Sequence, residues 1–391
     1  MNRLAADIGT TTIELCLIDD ITGKILDTGI LLNPQRIYGS DVISRAKNAS
    51  KADLAGKMCS MIRDSIQQYV TDNWSVEWRK LSLIVLSGNS LMMHLFFNLD
   101  TTGFLTAPYI VNNLIIDNYI WDGVKTVSMP AVSAFVGGDI ISGLYSLSVN
   151  SLRYDKAVFS DLGTNGEIVL IIDDKLIATS VACGPAFEGG NISIGSPAIA
   201  GAIDKVHITN GFCRIETIDN IIPPRGLCGS GLIEAVFELH KGNIIDDNGS
   251  FTMEQYRKNG YDLFVLNQSL RMTITQDDIR ALQTAKAAVS AGIEVLISDS
   301  GISQEDIVSL FVAGSFGSNL DIKKASGIGL IPKALEDKVV VLGNTSLNGA
   351  VRLCLNPDDY DSLCRMSENA SSVSLADSDA FKSSYIKNIN L

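Results

Sequence analysis

The chain has 391 residues, 46% of them hydrophobic and 19% charged, and its 31 Lys and Arg against 44 Asp and Glu give a formal net charge of −13. That acidity speaks against nucleic acid or an anionic membrane surface as a partner, and the length calls for two lobes rather than one core. Met1-Asn2-Arg3 runs straight into a strand, and no long uncharged apolar run follows, so no membrane association and a cytoplasmic location are expected.

The first stretch, Leu4–Asp19, reads as a strand ending in Asp7, a Gly9-Thr10-Thr11-Thr12 turn and a second strand. Gly9 lets a ligand approach the backbone, and the amides of Thr10, Thr11 and Thr12 can form an anion-binding nest. Asp7 would repel a phosphate unless a divalent cation lay between them, which points to a magnesium nucleotide. A polar loop with Asn33-Pro34-Gln35 follows, then a helix from Val42 and a longer one over 53–70 with apolar Leu54, Met58, Met61, Ile62 and Ile66. The strand Leu81–Leu86 ends in Ser87-Gly88-Asn89-Ser90, where Asn89 or Ser90 caps the next helix. Such a junction presents helix-end amides at a sheet's carboxyl edge. Residues 100–135, with Pro108 and Pro130, read as the passage between lobes, and Val136-Gly137-Gly138-Asp139 opens a helix to about Leu147.

Residues 157–182 repeat the opening pattern: an apolar run to Asp161, the turn Gly163-Thr164-Asn165-Gly166, and a strand from Glu167 to Ile172. Two such units in different halves argue for an internal duplication. Two Gly-rich loops follow, Cys183–Gly190 and Gly226–Gly231; the first reads as a functional loop or a structural turn, the second as a generic phosphate or ligand cradle at a helix start. Thr275 to Asp278 forms a capping box before a helix to about Ser298, with Lys286 on it. The strand Leu310–Ala313 delivers Gly314-Ser315-Phe316-Gly317. The strand Val339–Leu342 leads to Gly343-Asn344 and a helix through Leu355, mirroring the junction at 88–95. The seven cysteines, Cys16, Cys59, Cys183, Cys213, Cys228, Cys354 and Cys364, lack any tight ligand spacing and read as reduced, partly buried thiols.

This order of parts resembles the actin-like ATPase, sugar kinase and heat-shock chaperone superfamily. The resemblance implies an α/β fold of two duplicated ribonuclease H-like lobes, with mixed sheets flanked by helices and a nucleotide cleft between them. The implied divisions are residues 1–134 for the first lobe, 135–343 for the second with insertions, and 344–391 for a hinge helix and tail returning to the first lobe. Asp7–Thr12 and Asp161–Glu167 would be the two phosphate loops, Val312–Gly317 the adenosine loop, and the helices at 88–95 and 343–350 the hinge pair.

Within that superfamily the chain is most similar to the ATPase region of the reductive activators of corrinoid proteins. The resemblance rests on ADIGTTT, LNPQ…YGSDVISR, GNSLMMHL, FVGGDI, DLGTNGEI, ACGPAFEGGNI, GLCGSGLIEA, DIRALQTAKAAVSAGIEVL and AGSFGSNLD…IGLIP, in order from about residue 5 to 350. It implies an ATPase that uses ATP and Mg2+ to drive reduction of cob(II)alamin to cob(I)alamin on a corrinoid protein or corrinoid methyltransferase. Asp7 and Asp161 are then the expected catalytic and metal-positioning acids, facing each other across the cleft, and Glu167 a candidate for orienting the attacking water. Gly9, Thr10, Thr11, Thr12, Gly163, Thr164, Asn165 and Gly166 would hold phosphates. Gly314, Ser315, Gly317 and Lys286 would line the adenosine site; Lys286 equally reads as a solvated helix lysine. Such activators normally carry an N-terminal ferredoxin-like domain. This chain starts at the ATPase strand and lacks cluster-type cysteine spacing, so no iron–sulfur cluster is expected in it. An upstream region outside this sequence, a separate ferredoxin-type electron donor, and a role without redox work all remain open, and a homodimer is compatible. The rival readings are a small-molecule kinase of the same fold and a nucleotide-gated binding protein without redox role.

Overall fold

The apolar run at the start of the chain forms strand β1, Asn2–Ile8, which is buried on both faces. Leu4, Ala6 and Ile8 point into one hydrophobic cluster and Ala5 into another. Asp7 shares the face of Ala5, because side chains alternate along a strand. The structure is a computed structural model of the chain and describes residues 1–39, 41–51, 53–147, 156–209, 212–253, 257–258, 261–314 and 320–391.

In chain order, β1 is followed by β2 (Thr12–Asp19), β3 (Ile25–Leu32), α1 (Val42–Ala49), α2 (Leu54–Trp74), β4 (Leu81–Gly88), α3 (Ser90–Phe97), β5 (Tyr119–Trp121), β6 (Val124–Ser128) and α4 (Gly138–Leu147). Next come β7 (Lys156–Leu162), β8 (Gly166–Ile172), β9 (Lys175–Val181), β10 (Ala202–Thr209), β11 (Phe212–Thr217), β12 (Gly226–Leu227) and α5 (Gly229–Lys241). Then β13 (Arg257–Lys258), β14 (Tyr261–Asn267), β15 (Met272–Thr275), α6 (Gln276–Asp299), β16 (Ser309–Ala313), α7 (Ile322–Gly327) and β17 (Val339–Gly343) complete the middle of the chain. It ends with α8 (Thr345–Leu355), α9 (Tyr360–Asn369) and α10 (Asp379–Lys387).

The first sheet has the order β3-β2-β1-β4-β6-β5, and the second contains β9-β8-β7-β16-β17. In each, three successive antiparallel strands are joined to two parallel ones. The two sheets therefore share one topology, the duplication expected from the paired turns.

Contacts divide the chain into two compact units, Met1–Arg153 with Asn344–Ser372, and Tyr154–Gly343 with Val373–Leu391. Three features depart from the sequence reading. First, α4 belongs to the first unit, beyond the expected boundary at 134, because its buried Ile141 and Tyr145 share a cluster with Ala350, Leu353 and Cys354 of α8. The α4–α8 crossing is close enough that a Cβ on Gly349 would lie 2.0 Å from the Ser142 carbonyl oxygen. This makes α4, not α3, the partner of α8. Second, part of the 100–135 passage is structured: β5 and β6 extend the first sheet, and Trp121 packs edge-on against Trp78 and Phe96. Third, the tail divides. Residues 344–372 stay with the first unit, whereas α10 packs on α6 in the second.

Candidate nucleotide site

The first turn is built by the β1–β2 register, in which Asp7 is opposite Glu14 and Ile8 opposite Ile13. Three side chains brace it. Asn33 Nδ2 donates to the Gly9 carbonyl at 2.8 Å, and the Asn33 amide donates to the Thr11 carbonyl at 2.9 Å. Arg45, fully buried, donates from Nη2 to the Thr10 carbonyl at 2.5 Å and from Nε to the Gly39 carbonyl at 2.9 Å. Asn89 caps α3 by accepting from the Met92 amide, and its Nδ2 donates to Thr10 Oγ1 at 3.3 Å. Because several turn carbonyls are taken by these donors, the backbone conformation at Gly9–Thr12 is held from outside.

The Asp7 carboxylate faces α8. Its Oδ2 accepts from Asn344 Nδ2 at 2.9 Å and its Oδ1 from Ser346 Oγ at 2.7 Å, while Asn344 Oδ1 caps α8 by accepting from the Leu347 amide. Ser346 Oγ also lies 2.8 Å from Ser87 Oγ at the end of β4. Two further acids interact with Asp7. Burial first, and the Asp7 charge second, raise Glu14 to about 7 and Asp139 at the start of α4 to about 7. Glu14, Asp139, Asn344 and Ser346 were absent from the expected site. The signal for Glu14 was its hairpin register with Asp7. Asp139 and Asn344 stood at helix starts after Gly-rich turns.

The second unit repeats the arrangement. Asp161 is opposite Glu167 and Leu162 opposite Gly166, so each hairpin sets an acid at the end of one strand across from an acid on the next. Glu167 is buried. The Gly163 amide donates to the Asn165 carbonyl at 3.1 Å, closing the turn. Ala313 of β16 is in register with Asp161, and Gly314, at φ +120°, comes so close to β7 that a Cβ would lie 2.4 Å from the Leu162 carbonyl oxygen. The turn at Gly314 thus abuts the second phosphate-type turn; Ser315 and Gly317 lie outside the described residues.

Lys286 is neither solvated nor at an open edge. It is fully buried, and its Nζ donates to the carbonyls of Asn388 at 2.5 Å and Asn390 at 2.6 Å, with burial lowering it to about 8. In the expected cradle at 226–231 the glycines meet neighbouring backbone: a Cβ on Gly229 would lie 2.1 Å from the Phe187 carbonyl oxygen, and one on Gly231 2.1 Å from that of Ile203. These glycines serve close packing at the buried start of α5. Among the described residues no cluster of three His, Cys, Asp or Glu is placed to hold a metal by itself. No helix is long and apolar enough to cross a membrane, among the residues described.

Comparison with known proteins agrees with this architecture. Residues 155–391 match the family described as the C-terminal domain of RACo, the ASKHA domain, and residues 3–151 match the RACo middle region. A corrinoid activation enzyme, RamQ of Eubacterium limosum, is 30% identical over 98% of this chain and 69% of its own length. A [Co(II) methylated amine-specific corrinoid protein] reductase of Methanosarcina barkeri is 25% identical over 99% of this chain and 76% of its own length. A solved reductive activator for corrinoid, iron–sulfur protein superposes with a TM-score of 0.91 at 32% identity, covering all of this chain and 66% of that one. The chain thus spans about two thirds to three quarters of the length of these relatives and belongs to the RACo family of corrinoid-protein reductive activators, carrying its middle region and its ASKHA domain.

Proposed function

We propose that this chain binds and hydrolyses Mg-ATP to drive reduction of cob(II)alamin to cob(I)alamin on a corrinoid protein or corrinoid methyltransferase, with electrons from a separate ferredoxin-type donor. The observation that carries the nucleotide part is the duplicated turn, in which Asp7–Glu14 and Asp161–Glu167 recur in the same register beside a Gly-Thr loop. The corrinoid part rests on the family.

In this reading the amides of residues 9–12 and 163–166 take the phosphates, and the Gly314 turn, with Ser315 and Gly317 after it, takes the adenosine. Lys286 anchors the chain's end through the Asn388 and Asn390 carbonyls rather than reaching the base. The carboxylates of Asp7, Glu14 and Asp139 and the Ser346 hydroxyl are oxygen groups of the kind Mg2+ takes, and the cation would neutralise phosphate charge. Asp7, already accepting from Asn344 and Ser346, is suited to hold the cation's waters rather than to enclose it. Asp161 plays the corresponding part on the second turn. Asp139 and Glu14, raised to about 7, are acids poised to accept a proton near neutrality, and Asp139, buried at the Gly-rich start of α4, is the candidate base. Glu167 orients the attacking water from the second turn. Phosphoryl transfer of this kind needs positioning and charge neutralisation more than covalent chemistry.

The test is Mg-ATP turnover by the purified chain with a low-potential reductant, with and without a cob(II)alamin-loaded corrinoid protein, following phosphate release and cob(I) absorbance together. Both should rise with the corrinoid protein, and Asp7→Ala and Asp161→Ala should abolish both. Turnover unchanged by either substitution removes the site; turnover indifferent to the corrinoid protein removes the redox coupling.

A further inference from the structure

The Gly-rich loop 183–190 has no part in the hydrolysis outlined above, yet it reaches the second turn directly. Glu188, at the end of a short 3-10 helix spanning Pro185–Glu188, accepts from the Thr164 amide at 3.2 Å and from Thr164 Oγ1 at 2.8 Å. Its Oε1 lies 3.0 Å from where a Cβ on Gly163 would stand, so the carboxylate lies over the glycine face of the turn. A main-chain amide beside a hydroxyl, over a face without side chains, is the donor set an anion seeks. Here a carboxylate from the chain itself has it.

A phosphate oxygen bound at this turn needs the same Thr164 donors, and its charge repels the Glu188 carboxylate. We propose that Glu188 is an internal anion that competes with the nucleotide phosphate for Thr164, so that phosphate binding displaces Glu188 and releases the loop 183–190. This deepens the nucleotide reading and rests on it.

The packing shows where the displacement leads. Phe187, next to Glu188, is buried, and its carbonyl oxygen would lie 2.1 Å from a Cβ on Gly229 at the start of α5. On the other side of Glu188, a Cβ on Gly189 would lie 2.2 Å from the Ser196 carbonyl oxygen. Backbone therefore meets backbone on both sides of the glutamate. Movement of Glu188 bears on the first turn of α5 and on the segment around Ser196, rather than being absorbed by flexible side chains. The phosphate state of one turn is in this way read out by a loop whose own residues do no chemistry.

Mg-ADP titration of the full chain tests the exchange. Glu188→Gln keeps the shape and removes the charge, and it should bind Mg-ADP about tenfold more tightly than the wild type. Glu188→Asp, which keeps the charge, should bind like the wild type or more weakly. Independently of any variant, hydrogen exchange of the amides at 186–189 in the wild type should speed up when Mg-ADP is added. Unchanged or weaker binding by Glu188→Gln, or unchanged exchange on nucleotide addition, overturns the competition while leaving the nucleotide site in place. Binding of Mg-ADP by neither chain overturns the nucleotide reading, and the competition with it.

Discussion

Single residues in this chain are read best through the groups that hold them. Asp139 is the clearest case: burial and the Asp7 charge keep it near neutrality in its titration, which is where a general base is most effective. Asp139→Asn should lower ATP turnover by roughly a hundredfold or more, while Mg-ADP affinity changes by only a few fold. Unchanged turnover would return the role of base to Glu14 or Glu167. Lys286 tests a different balance. Burial lowers it from 10.5 to about 8, so between those values the unfolded chain carries a proton that the folded chain does not. Stability contributed by this group therefore rises with pH across that window. The wild type should gain about 2 kcal/mol on Lys286→Met between pH 8 and pH 10, read as the change in the difference of their urea midpoints. A difference flat across this range would mean that Lys286 remains charged between the Asn388 and Asn390 carbonyls.

At the scale of elements, the parts that could be read from sequence are those whose cause is local. The Thr275 cap is an example: its side chain accepts from the Asp278 amide, Asp278 accepts back from the Thr275 amide, and α6 begins where that pattern says it should. Asn89 and Asn344 likewise cap α3 and α8. What sequence did not disclose is which helix meets which. The resemblance of the two Gly-Asn junctions suggested α3 with α8. The crossing with α4 is instead decided by Gly349 and Ser142, some 200 residues apart in the chain, and by the Ser142 Oγ bond to the Ser346 carbonyl at 2.6 Å. Similarly, Glu188 and Thr164 belong to separate motifs that only the fold brings together. These two kinds of contact differ in cost. Thr275→Ala should destabilise the second unit by about 1 kcal/mol, the usual value of a cap. Gly349→Ala forces a methyl against the α4 backbone and should cost the first unit about 2–3 kcal/mol, as overpacking does. Thermal denaturation of the two variants decides the order; equal losses would mean that the α4–α8 crossing relaxes around the added methyl at no more cost than a lost cap.

For the whole molecule, the decisive fact is that the first unit is discontinuous. Its sheet, with β1 through β6, is complete by residue 128, but Ala350, Leu353, Cys354 and Leu363 arrive only after the whole of Tyr154–Gly343 has intervened. The same returning segment supplies Asn344 and Ser346 to Asp7, so the core of the first unit and its acid site are completed together. The family boundary between 151 and 155 follows the chain, whereas the packing does not, since α8 and α9 lie within the ASKHA region yet pack in the first unit. Truncation separates these dependencies. A chain ending at Ser372 keeps α8 and α9 but loses α10 and the Asn388 and Asn390 carbonyls, leaving Lys286 buried without them, so its second unit should weaken and its first should not. A chain ending at Gly343 removes the α8 and α9 side of the cluster around Ala5, Cys16 and Val85 and takes Asn344 and Ser346 away from Asp7. All three tryptophans, Trp74, Trp78 and Trp121, belong to the first unit, so their fluorescence follows that unit alone while circular dichroism follows both. On urea unfolding the chain ending at 372 should keep the wild-type fluorescence midpoint and show an earlier second transition by circular dichroism. The chain ending at 343 should lose the cooperative fluorescence transition altogether. If it instead retains that transition at the wild-type midpoint, α8 is an accessory to a sheet that folds without it, and Asp7 is positioned without Asn344 and Ser346.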